Sequence, residues 1–68
     1  MAKIGKLYIL NHSVSLRDLT NRQKFISDAV IGPFFLIEVE STFWHKILTN
    51  KLEIGWIFCL STDLSELC

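Results

Sequence analysis

Nine consecutive residues, AVIGPFFLI from Ala29 to Ile37, carry no charged or hydrogen-bonding side chain, in a chain of only 68 residues. So much apolar surface must leave water, against a core, a bilayer or another protein. The run falls far short of the roughly 20 residues that cross a bilayer as a helix. Gly32-Pro33 divides it, because glycine followed by proline ends a helix and starts a turn. The run therefore reads as a helix end, a turn and the start of a strand. A chain this short buries only roughly 60% of the surface its unfolded form exposes, and its stability is on the order of 3–10 kcal/mol. Half of its residues are hydrophobic. Small domains often need a staple, and this composition points to a partner chain as that staple.

Periodicity assigns the remaining segments. Lys3 to Leu10 reads as a strand ended by the turn-favouring Asn11-His12-Ser13. From Ser15 the pattern predicts an amphipathic helix of about four turns. Ser15 stands at the N-cap with Asp18 three residues on, and Val14 and Leu19 have hydrophobic-staple spacing. Leu16, Leu19, Ile26 and Val30 recur at helical intervals, while Arg17, Asn21, Lys24 and Asp28 take the other side. After Pro33 the period becomes two, so Phe35, Ile37 and Val39 alternate with Leu36, Glu38 and Glu40. Residues 42–49 are read as a further strand, with a short helix as the competing reading. Thr49 to Lys51 makes a turn. Then Leu52, Ile54, Trp56, Phe58 and Leu60 alternate with Glu53, Gly55, Ile57 and Cys59. Asp63 and Glu66 suggest a helical turn ending at Cys68.

These elements predict a single α+β domain over residues 1–68, in the order strand, helix, strand, strand, strand, then a terminal helical turn. One helix packs on a mostly antiparallel sheet of three to four strands. A helix about 10–12 Å across covers roughly two strands spaced about 4.8 Å apart. Phe35, Ile37, Val39, Trp56 and Phe58 are expected beneath it. The opposite face, with Tyr8, Leu10, Phe34, Leu36 and Ile57, is then left without cover, and these five are the expected partner-binding residues. The reverse assignment places Trp44, Trp56 and Phe58 outward.

Seven basic residues balance seven acidic ones, and they are interspersed. Such a balance argues against nucleic acid, whose phosphates call for a basic stripe. It also removes the repulsion that keeps chains apart. Cys59 and His45 invite a nucleophile–base pairing, but Cys59 lies in the apolar stretch WIFCLS, where a thiol serves as a small hydrophobe. His12, His45, Cys59 and Cys68 lack the close spacing of a zinc site, so neither metal nor cofactor is expected. Glu38 and Glu40 share one side of a strand and read as a solvated edge. No secretory leader is recognisable, and two cysteines suit a reducing, intracellular setting.

The resulting expectation is a small non-enzymatic interaction protein, either a homo-oligomer or an accessory subunit of a larger assembly, docking on another protein chain. One alternative is a truncated piece of a larger α/β enzyme that supplies the missing layer. A second is peripheral membrane association, with Trp44, Trp56 and His45-Lys46 at the headgroup boundary. No segment is long enough for a transmembrane helix.

Overall fold

The structure, a computed structural model, describes residues 2–67 and is an all-β fold. It has seven strands: β1 (Leu7–Leu10), β2 (Val14–Arg17), β3 (Phe25–Val30), β4 (Phe34–Val39), β5 (Trp44–Thr49), β6 (Ile54–Phe58) and β7 (Leu64–Glu66). A 3-10 turn at Ser61–Asp63 precedes β7. The expected α+β architecture is thereby overturned. The stretch read as a helix is β2, a loop and β3. The C-terminal helical turn is replaced by the 3-10 turn and β7. The expected three or four strands are seven, and all neighbours pair antiparallel.

The supposed helix fails for a local reason. The Asp18 carboxylate accepts the backbone N–H groups of Thr20 and Asn21 and the Thr20 hydroxyl, and Asn21 Oδ1 accepts the N–H of Gln23. Short polar side chains that take up nearby backbone donors compete with helix and favour a turn. This turn lets β2 and β3 pair, with Leu16 opposite Ser27 and Arg17 opposite Phe25. The apolar stripe then comes apart, for Leu16 is fully buried while Leu19 and Ile26 are exposed.

The strand order is β3-β2-β6-β5-β4-β1-β7, and this order forces the sheet to roll. β1 and β2 stand four positions apart, as do β3 and β4, yet three residues join each pair. Four strand spacings cover about 19 Å in a flat sheet. The chain from Leu10 to Val14, or from Val30 to Phe34, reaches at most about 14 Å. Curling brings the strand ends within reach and lets the Leu10 N–H donate to the Ile31 carbonyl at 2.7 Å.

A rolled sheet needs no second layer, because its concave face is its core. Tyr8, Leu10, Leu16, Phe34, Leu36, Ile47, Ile57 and Cys59 fill that interior. The five residues expected to bind a partner do share one face, but that face is the inside. Tyr8, Leu10, Phe34, Leu36 and Ile57 are each at most 4% exposed, so they are core residues of the chain itself. Of the residues expected under a helix, Phe35 and Phe58 point the other way and are exposed, whereas Val39, beyond a bulge in β4, is registered opposite His45. Two glycines permit the close turns of the roll. A Cβ on Gly55 would lie 2.4 Å from the Arg17 carbonyl oxygen, and one on Gly32 (φ +123°) would lie 2.9 Å from that of Tyr8.

Candidate protein-docking face

The convex side of the sheet carries the candidate site. Cross-strand pairing lines up Glu38 (β4), Lys46 (β5), Trp56 (β6), Arg17 (β2) and Phe25 (β3) as one row, each residue registered on the next. Trp44 and Phe58 form the adjacent pair. Side chains alternate between faces along a strand. Burying Ile47, Ile57 and Leu16 inside therefore turns Lys46, Trp56, Phe58 and Arg17 outward.

Aromatic stacking and cation–π contact organise this face. The Phe43 and Phe58 rings stack at 5.0 Å between centroids, and Trp44 meets Phe58 edge-on at the same separation. Such geometries match the charge distribution of aromatic rings. Arg22 reaches from the β2–β3 loop to lie 4.1 Å above Trp56 and 4.9 Å from Trp44. Lys46 stands 5.3 Å from Trp56, and Arg17 lies 4.8 Å from the Phe25 ring. The Trp56 Nε1–H donates to the Leu19 carbonyl at 3.2 Å. Trp56 is thus held at 5% exposure on the outer side, while Phe25, Phe43 and Phe58 remain 42–54% exposed.

Charge on this face is largely balanced. Arg22 makes a two-pronged ion pair with Glu40, which holds the Glu40 carboxyl below its ordinary pKa and raises that of Arg22. Lys46 Nζ lies 3.0 Å from Glu38 Oε1. Arg17 donates to the Arg22 carbonyl at 3.0 Å and has no carboxylate partner among the described residues. Glu38 and Glu40, read as a solvated edge, are the counter-ions of this surface.

His45 and Cys59 do come together, at 3.8 Å between Sγ and Nδ1, but inside the roll. Burial, with a smaller contribution from Asp63, pushes the Cys59 thiol up to about 11, so it stays protonated and unreactive near neutrality. Burial also lowers the His45 pKa, and contact of Nδ1 with the Phe43 carbonyl only partly opposes this. The pair reads as core chemistry. Among the described residues, no three His, Cys, Asp or Glu side chains gather where they could hold a metal ion. Cys68 and the side chain of Asp28 lie outside the described residues.

A pH dependence follows. Above the ordinary histidine pKa of about 6.5, folded and unfolded chains both hold His45 neutral. As pH falls below that value the unfolded chain takes up the proton first, so stability declines until the lower folded-state pKa is passed. The expected slope is at most about 1.4 kcal/mol per pH unit, the limit for one proton. Denaturation midpoints between pH 7.5 and 5 should fall for the wild type and lose this slope in a folded His45→Gln variant. An unchanged slope in that variant would remove His45 as the cause.

Sequence periodicity misses Arg17, Arg22, Phe25 and Phe43 as members of this face, because the first three fall in the stretch read as a helix and Phe43 near the start of the strand read over 42–49. The signal available was the concentration of Trp and Phe in segments 43–44 and 56–58. Comparison with known proteins returns no match to a family model, to a curated protein or to a solved structure. No helix among the described residues is long and apolar enough to cross a membrane.

Proposed function

We propose that this chain is a small non-enzymatic interaction domain that binds another protein through its convex aromatic face. One observation carries the reading: Phe43, Phe58 and Trp44 form a preassembled cluster open to water, on a chain whose core is already filled elsewhere. Aromatic residues and arginine dominate the binding energy of protein interfaces. Rings stacked before binding lose little freedom when a partner arrives. Arg22 and Lys46 are paired with carboxylates, which leaves Arg17 as the face's single unpaired cation among the described residues, far from the basic stripe that phosphates require. Membrane insertion draws less support, because Trp56 lies under Arg22 and Lys46. The enzyme-fragment reading draws less support, because the chain's own residues fill the concave face of the sheet. A buried free thiol at Cys59 suits the reducing, intracellular setting that we retain as part of this proposal.

A photo-crosslinking residue at position 58, with position 52 as the exposed control away from the face, tests the reading in cells expressing the full chain. A discrete higher-mass protein adduct is expected from position 58 and none from position 52. No adduct, or equal adducts from both, would overturn the docking face.

A further inference from the structure

We infer that the cleft between the N-terminal segment and the β4–β5 turn binds a free, small carboxylate with an apolar tail, of the kind of a medium-chain fatty acid. The site goes beyond the docking face and shares no lining residue with it. The N-terminal segment is held along β4, where the Gly5 N–H donates to the Leu36 carbonyl at 2.7 Å and the Lys3 N–H to the Tyr8 hydroxyl at 2.6 Å. Between this segment and the turn lies a cleft of about 690 Å³, within the roughly 300–1,000 Å³ of small-molecule sites. Ala2, Ile4 and Val39 give it apolar walls. Ile4 and Val39 remain 62% and 39% exposed, and an acyl chain lying between them would take that surface out of water.

Polar groups on the cleft select the head of the ligand. Among the described residues, Lys3 is the one charged side chain of the lining, and it makes no ion pair with any of them. The two carboxylates that flank Val39 in the chain are already engaged, Glu38 by Lys46 and Glu40 by Arg22. Three hydroxyls complete the lining, from Ser41, Thr42 and Ser61. The Phe43 carbonyl, 3.1 Å from His45 Nδ1, assigns the ring proton to that nitrogen. Nε2 is then an acceptor, and the Ser61 hydroxyl at 3.5 Å is directed to it. Ser41 Oγ accepts the Trp44 N–H at 3.3 Å, which leaves its own proton to donate, and Thr42 adds a second hydroxyl. One cation and two hydroxyl donors beside apolar walls are complementary to a carboxylate on a hydrocarbon chain. An ammonium head would meet Lys3 as a like charge.

Titration of the isotope-labelled, full-length chain with decanoate, decanol and decylammonium, each below its micelle-forming concentration and followed by amide chemical shifts, tests the site. Decanoate should saturate, with shifts centred on Lys3, Ile4, Val39, Ser41 and Ser61, and should bind more tightly than either other probe. Lys3→Gln should weaken decanoate binding about tenfold, the loss of one charge-assisted bond, and leave decanol unchanged. Lys3→Glu should reverse the preference, so that decylammonium binds more tightly than decanoate. Lys3 is exposed, so both variants should keep the fold, and the spread of their amide signals verifies it. Wild-type shifts that do not saturate, that centre on Phe25 and Phe58, or that show equal affinity for decanoate and decylammonium would overturn the site. So would a folded Lys3→Glu variant that binds decanoate as the wild type does.

Discussion

Gly55→Ala should lower the thermal midpoint of this protein by more than about 12 °C. The added Cβ would sit 2.4 Å from the backbone carbonyl of Arg17 and 3.0 Å from Leu16 Cδ1. The first of these cannot rotate away, so β2 must retreat from β6 at their pairing point, Arg17 opposite Trp56. Overpacking of this kind costs about 3 kcal/mol at the upper end of its usual range. A domain of this size loses about 4–8 °C per kcal/mol. Gly5→Ala is the matched control. Gly5 has φ +85° with nothing within 4 Å of the new Cβ, so it carries only the strain of a left-handed backbone, about 1–2 kcal/mol. Thermal melts followed by near-ultraviolet circular dichroism would compare them. A Gly55→Ala midpoint within about 5 °C of wild type would mean that β2 does not cross β6 as described.

Two neighbouring phenylalanines give the second large effect. Phe34 is 1% exposed and faces the interior, whereas Phe35 is 45% exposed on the convex side. Truncating a buried phenylalanine costs about 3–5 kcal/mol, a large part of the whole stability of so small a domain. Phe34→Ala should therefore leave the chain largely unfolded at 37 °C. Phe35→Ala should cost less than about 1.5 kcal/mol, near the range of surface changes. Urea denaturation of both variants measures this directly. The opposite order of costs would put Phe35 in the core and reinstate the face assignment that periodicity suggested.

That assignment shows what can be read from residues alone here. The strands Leu7–Leu10, Phe34–Val39, Trp44–Thr49 and Ile54–Phe58 fall within the stretches read as extended, which are residues 3–10, the run after Pro33, 42–49 and 52–60. Alternation also sorted Tyr8, Leu10, Phe34, Leu36 and Ile57 correctly onto one side, since period two fixes which residues share a face. It does not say which side is inside. Both faces of these strands are apolar, so the pattern offers nothing to choose between them, and the expected helix lies on the wrong one. Here Phe35, Phe43 and Phe58 stay outside while aliphatic residues, Phe34 and Tyr8 fill the roll. The helix from Ser15 onward failed because Ser15, Asp18 and Asn21 serve equally as helix caps and as turn formers. Without that helix the sheet looks uncovered only if it is flat. Curvature comes from strand order and linker length, and those are settled by pairings between residues distant in sequence.

The same strand order sets how the chain can come together. β2 with β3, and β4 with β5 and β6, are neighbours in both sequence and space. Each group can form after closing only a short loop, which carries a small entropic cost. Every other pairing spans long separations, to the point that Tyr8 finds Glu66. Such distant contacts slow folding. The hairpin and the three-stranded meander are thus the natural early pieces, and they meet where Arg17 lies against Trp56. Gly55, which lets that seam close, governs assembly as well as the finished fold.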